Sequence, residues 1–342
     1  MKPFSGAMRL GGRGLALALV AVTGVACTEV KDTLQEADET LASALNIEDT
    51  PELEGKSGSE LNDALYDMGL ELQREGKDAE AVTRFRQAAE RGHGAAAYEL
   101  GEAYNDGRGV EKDLNEGAKW INTAASRGEP RAQYAVGAAL YSNPEGEQDY
   151  ARAVRYLGNA ASQGHAGAQY LLGECYANGR GVTKNLPWAA RWYGKSAERG
   201  HPDGAFSYGV VQAAGLGLPT NLTWGYAWLD IASRRGHDKA GEVRAAIASR
   251  MTSAQIETAR QRAEAFEPMA DPPFADRPTI MYVQHSLNLL GFNAGPVDGL
   301  SGPRTRSAVK AYLSSTGAEP GNGEITPDLL QKIFETQQNA AV

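Results

Sequence analysis

Glycines recur along this chain at a fixed interval. Gly92, Gly128, Gly164, Gly200 and Gly236 are each 36 residues apart, and Gly101, Gly137, Gly173 and Gly209 form a second series with the same step. Other columns keep the register: Trp120, Tyr156, Trp192 and Trp228; Ala125, Ala161 and Ala197; and, two steps apart, the loops Gly107-Arg108-Gly109-Val110 and Gly179-Arg180-Gly181-Val182. A constant period of this length means that one supersecondary unit is reused, each copy solving the same packing problem against the next. Within a unit, residues 95–104 and 115–126 read as two helices. The first ends in a Gly-rich turn and the second at a ladder glycine, where a left-handed cap is accessible without a β-carbon. A lone pair of helices cannot bury its apolar stripe, so successive hairpins must stack. The sequence thus predicts an all-α fold, an α-solenoid of stacked helical hairpins.

The signature Tyr98, Leu100, Gly101, Tyr104, Gly107, Gly109, Val110, Asp113, Trp120, Ala124, Ala125 and Gly128 recurs best over residues 168–200. These units resemble the Sel-like repeat, a relative of the tetratricopeptide repeat with a longer turn, and the resemblance covers residues 61 to about 237. Residues 61–92 lack the long turn and look like a plain tetratricopeptide unit, while residues 142–148 replace the Gly-x-Gly-Val turn of the second full unit. Beyond Gly236, residues 239–250 and 253–266 predict two capping helices, the latter opened by Thr252 with Gln255 as a capping box. The solenoid so defined spans 61–266. On its first helices Tyr98, Tyr134, Tyr170 and Phe206 also repeat every 36 residues. Two readings stay open for this stripe: packing between repeats, or a partner-binding ladder on the concave face for an extended peptide or glycan.

The start of the chain reads as an address. Lys2, Arg9 and Arg13 precede an uncharged apolar run at 14–26 that closes in Gly24-Val25-Ala26, the pattern of a secretory signal peptide over residues 1–26. The run is short of the roughly 20 residues that span a bilayer as a helix. Thr23-Gly24-Val25-Ala26-Cys27 resembles a bacterial lipobox, which implies acylation of Cys27; ordinary cleavage before an incidental cysteine is the alternative. By resemblance to lipoprotein sorting, Thr28 points to the outer membrane of a Gram-negative bacterium, with the protein facing the periplasm. Residues 27–60 form an acidic tether, in which ten acids from 28 to 60 face only Lys31 and Lys56. Val30, Leu34, Ala37, Leu41 and Leu45 fall at helical spacing, so a short helix can form there, and 51–59 reads as loop. This segment holds most of the net charge of −9. An acidic chain without clustered Lys and Arg does not bind nucleic acid broadly.

Pro268, Pro272, Pro273 and Pro278 make residues 267–278 a stiff linker. A second domain follows at 279–342. Val283-Gln284, Leu287, Leu290-Gly291-Phe292, Gly295-Pro296-Val297-Asp298-Gly299, Gly302-Pro303-Arg304-Thr305, Ala308-Val309 and Tyr312 resemble the peptidoglycan-binding-like domain, a three-helix module. Ser301 and Leu313 depart from its pattern. The resemblance implies peptidoglycan as ligand, with Asp298, Arg304 and Thr305 as the polar residues placed to face a muropeptide. The same residues also make structural sense alone: Asp298-Gly299 is a turn dipeptide, Pro303 opens a helix, and Ala308, Val309 and Tyr312 supply its buried face.

Wall-binding modules are often joined to hydrolases, so catalytic constellations matter. His93, His165, His201 and His237 each follow a ladder glycine and therefore sit in successive layers, too far apart for one metal. His285 is expected to be exposed. Cys175 shares a small-residue column with Ala103 and Ala139, as a buried structural thiol would. No nucleophile elbow, zinc-protease or phosphate-loop motif is present, and the acids fall on exposed helix faces. The sequence names no catalytic residue, no metal ligand and no cofactor. It points to a non-catalytic cell-envelope adaptor whose solenoid binds an envelope protein while its last domain binds peptidoglycan. The rivals are an envelope signalling regulator or a secretion or polysaccharide-export accessory lipoprotein, and a cell-wall hydrolase with an unrecognised site.

Overall fold

The computed structural model describes residues 53, 55–143 and 146–340. Cys27, the expected signal peptide and the helix expected near residues 30–45 lie outside the described residues. The described residues from 62 onward form one compact unit. Among the described residues there are fifteen helices and no strand, and no helix is long and apolar enough to cross a membrane.

A short-turn hairpin comes first, α1 (Gly58–Arg74) with α2 (Asp78–Glu90). Four longer-turn hairpins follow: α3 (Gly94–Asp106) with α4 (Leu114–Ser126), α5 (Pro130–Ser142) with α6 (Glu147–Ser162), α7 (Ala166–Asn178) with α8 (Leu186–Glu198), and α9 (Pro202–Ala214) with α10 (Leu222–Arg234). Each hairpin packs on the next, and first helices touch first helices where α5 meets α7 and α7 meets α9. The caps α11 (Ala240–Ala248) and α12 (Ser253–Glu264) both lie on α10. Thr252 and Gln255 form the expected capping box. Helix α1 begins at Gly58, so the end of the loop expected at 51–59 is already helical.

Two glycine series explain the period physically. A β-carbon at Gly101, Gly137, Gly173 or Gly209 would fall 2.7 Å from Ile121, 2.8 Å from Leu157, 2.6 Å from Tyr193 or 2.9 Å from Leu229, so the two helices of each hairpin touch through a bare backbone. Gly109, Gly181 and Gly217 have positive φ, and a β-carbon there would come within 2.3 Å of Asp78, 2.4 Å of Tyr150 and 2.3 Å of Leu186 respectively. Each such turn therefore rests on the start of the second helix of the hairpin before it, which fixes the step from one layer to the next.

The last domain is α13 (Arg277–Leu289), α14 (Pro303–Ser315) and α15 (Pro327–Ala340) around Tyr282, Leu287, Val309, Tyr312 and Ile333. Its first helix starts earlier than expected. Asp276 is the N-cap, and Pro278 lies in the first turn, where a missing N–H costs no hydrogen bond. Nor is the stretch before it a free spacer. Phe266 packs edge-on against Trp228 at 5.1 Å, and the Met269 N–H donates to the Glu198 carbonyl at 2.9 Å, which lays the segment along the solenoid.

Candidate functional site

The aromatic stripe of the first helices is already occupied. Tyr134 stacks on His165 at 4.3 Å, Tyr170 on His201 at 5.6 Å and Phe206 on His237 at 4.0 Å, each aromatic meeting the histidine that opens the next hairpin. His93, His165 and His201 are N-caps, their Nδ1 atoms accepting from the N–H groups of Ala96, Ala168 and Gly204. A cap of this kind needs an unprotonated Nδ1, and burial lowers the pKa of His165 and His201 accordingly. The second unit has Glu129 in place of histidine, and there Tyr98 lies under the Arg131 guanidinium at 4.5 Å, with Arg131 paired to Glu129 and Glu99. All four aromatics are half-buried, and this geometry is that of packing between repeats.

In the last domain the three candidate ligand residues separate. Arg304 is exposed. Thr305 does not face a ligand: it is 2% exposed, its hydroxyl donates to the Ala294 carbonyl at 3.2 Å and accepts from Gln284. Asp298 is partly exposed, and its Oδ1 accepts from the Gln284 amide and the Leu300 N–H, both at 2.9 Å. Burial acts to raise the Asp298 pKa, but those bonds outweigh it and hold the carboxyl below its ordinary range. Gln284 also accepts from the backbone of Asp298 and Gly299. This buried amide thus ties down the turn that carries the motif. His285, expected to be exposed, is half-buried on α13 because that helix lies against the solenoid, and burial lowers its pKa.

The contact between solenoid and domain gathers three buried charged residues, Arg191, Glu198 and Asp276. Helix α13 packs along α8. Trp188 of α8 reaches Tyr282 at 4.8 Å and Phe334 at 4.9 Å, joining the domain's own core. Conversely Met281 belongs to the solenoid core, where the Tyr208 hydroxyl donates to its sulfur at 3.4 Å. Arg191 is 5% exposed, stacks on Trp188 and Trp192 at 4.7 Å each, and donates from Nε to the Thr279 hydroxyl at 3.0 Å. Burial pushes its pKa down to about 10. Lys195 is paired with Asp276, the cap of α13. One turn further, Glu198 is 5% exposed, and burial followed by repulsion from Asp276 pushes its carboxyl up to about 8.

Two family models match the chain: that of the Sel1 repeat, at residues 94–129, 130–165, 166–201 and 202–237, and that of a peptidoglycan binding domain, at 276–333. The chain carries four Sel1 repeats. Among solved structures it is similar to c5321, a protective antigen of uropathogenic Escherichia coli with this repeat fold, at 28% identity and a TM-score of 0.53, over 61% of this chain and 47% of that one. The chain thus spans about half the length of c5321. It is also similar to a Sel1 repeat protein from Oxalobacter formigenes, at 23% identity and a TM-score of 0.50, over 72% of this chain and 98% of that one; at that identity the likeness speaks to fold alone. No curated protein matches.

Sel1 repeats are an architecture for protein–protein interaction, and the last domain is of a peptidoglycan-binding type. Within the Sel1 stack, sequence reasoning missed the seat of that domain. Its signal was a break in the period. Where the first two Sel1 repeats have Glu116 and Arg152, the last two have Trp188 and Trp224. The ladder position behind them follows suit: Trp120 and Tyr156 are half-buried, while Trp192 and Trp228 are covered. Cys175 is fully buried and burial pushes its thiol up to about 12, as befits a packing residue. Among the described residues no group of three or more His, Cys, Asp or Glu is placed to hold a metal ion.

Proposed function

We propose that this chain is a non-catalytic scaffold of the bacterial envelope, in which the last domain holds peptidoglycan and the Sel1 repeats hold a protein partner at a fixed bearing to it. The observation that carries this reading is the docking of α13 on α8 through the buried Lys195–Asp276 pair. Buried ion pairs contribute little net stability but penalise every arrangement that leaves one partner alone, so they select one orientation. Two attachments held at fixed separation raise the local concentration of one ligand near the other. The lipobox-like segment supports an anchor at Cys27 in the outer membrane, with the repeats in the periplasm.

Two experiments test the reading. The full chain is expected to pellet with insoluble sacculi and to stay in solution without them; a chain that stays in the supernatant in both cases refutes wall binding. Labelling with a fatty-acid probe is expected to mark the chain and to be lost in Cys27→Ser; label that persists in that variant refutes the anchor. A release of soluble muropeptides by the purified chain would replace the scaffold with a hydrolase.

A further inference from the structure

The seat of the last domain leaves a cleft of about 890 Å³ beside it, walled by α10 and α12 on one side and by the turn 296–300 on the other. That volume falls in the range of roughly 300–1,000 Å³ typical of small-ligand sites. Its floor is Trp224. Two guanidinium groups lie against this indole, Arg277 at 3.7 Å and Arg262 at 4.3 Å from the ring centroid. Arg277 donates from Nε to the Asp298 carbonyl at 3.2 Å, and among the described residues neither arginine forms an ion pair. Two neighbouring cations repel each other, and the Trp224 face and the single Asp298 carboxylate, which acts on Arg277, offset that only in part. An entering anion would neutralise them, and planar guanidinium groups match a carboxylate with paired hydrogen bonds.

The opposite wall has a different character. Val297 is packed against the solenoid core, Leu300 is 68% exposed, and Asp298 contributes a carboxylate whose Oδ1 accepts two bonds and whose Oδ2 accepts none among the described residues. The cleft thus offers a cationic floor, a short apolar edge and one anionic acceptor. A dianion such as a phosphate monoester would satisfy the first and be repelled by the last. A short peptide of small apolar residues that carries both free carboxylates and an amino group matches all three.

We propose that this cleft, shared between the fourth Sel1 repeat, the capping helix α12 and the last domain, binds the peptide stem of peptidoglycan by its carboxylate. The proposal rests on the reading of the chain as a peptidoglycan binder and assigns the recognition to a composite site, half of it on the solenoid.

Calorimetric titration of the full chain tests it, with three probes: disaccharide-tetrapeptide with free carboxylates, the same compound with its carboxylates amidated, and the peptide-free disaccharide. The free-acid compound is expected to bind, and the other two to bind at least about tenfold more weakly, the scale of one lost charge-assisted bond. Arg262 is half-buried against Trp224 and pairs with no acid among the described residues, so Arg262→Gln, whose melting curve checks that the fold is kept, is expected to weaken the free-acid compound about tenfold while leaving the peptide-free disaccharide unchanged. Equal binding of the amidated compound, an unaffected Arg262→Gln, or equal affinity for an unrelated tetrapeptide of L-residues with a free C-terminus overturns the site. Sedimentation with sacculi separates the two levels: a chain that pellets normally as Arg262→Gln refutes the cleft alone, whereas a wild-type chain that never pellets refutes the reading beneath it.

Discussion

Asp276→Ala is the sharpest probe of how the two halves of this molecule are joined. The Asp276 side chain is 1% exposed and that of its partner Lys195 is 11% exposed, so truncation strands an ammonium in a dry site, with the Arg191 guanidinium nearby. Breaking a buried pair from one side costs about 3–5 kcal/mol. The same carboxylate caps α13 by accepting from the Thr279 N–H, which adds about 1 kcal/mol. A loss of that size should lower the melting temperature by at least about 6 °C in a unit of this length. Four of the five tryptophans lie on α8 and α10, so intrinsic fluorescence reports the transition where the contact is made. The double variant Asp276→Ala with Lys195→Met removes the stranded charge and should regain most of the loss. A single variant within about 0.5 kcal/mol of wild type, or a double variant no better than the single, would show that α13 is tethered to α8 but not seated on it.

Three further outcomes follow from the geometry. Glu198 has its carboxyl pushed up to about 8 in the fold against an ordinary value of 4.5, so the folded state binds the proton more tightly. Its contribution is complete below pH 4.5 and fades as pH rises through 8, by up to roughly 4–5 kcal/mol; melting temperatures should fall across that window, and in Glu198→Gln this part of the slope should vanish. Gly173→Ala places a methyl 2.6 Å from the Tyr193 ring and should destabilise by about 1–3 kcal/mol in urea unfolding, whereas Gly158→Ala, with nothing within 4 Å, should stabilise by about 1 kcal/mol. Cys175 should remain unmodified by a thiol reagent in the native chain at pH 8 and react fully once denatured, since its thiol is buried and its pKa is about 12.

What repeats in this chain was legible in its letters, and what occurs once was not. The glycine columns predicted hairpins and their stacking because each copy restates the same close approach: Gly101, Gly137, Gly173 and Gly209 face Ile121, Leu157, Tyr193 and Leu229 in turn. The stripe from Tyr98 to Phe206 was visible too, but its partners were not, since a histidine 31 positions further on becomes a stacking face only when the layers are set down. Thr305 is polar yet faces no solvent, because a threonine that satisfies its hydroxyl internally can be buried without penalty. The role of Arg191, Lys195 and Glu198 is not legible in the sequence for a related reason. Three charges on one helix read as a solvated face until the chain, some eighty positions later, returns to cover them.

The place chosen for that cover has a consequence for how such a molecule can change in size. Among the described residues the layers make their main helix contacts with their neighbours, and the main helix contact of the seat is with the fourth hairpin. Whole bricks can therefore be added or removed upstream, each shifting the N-terminal end by one further step, while the C-terminal foot stays bolted where it is. The reach of the arm and the aim of its foot are independent variables, and only the first can be altered without redesigning a buried charge.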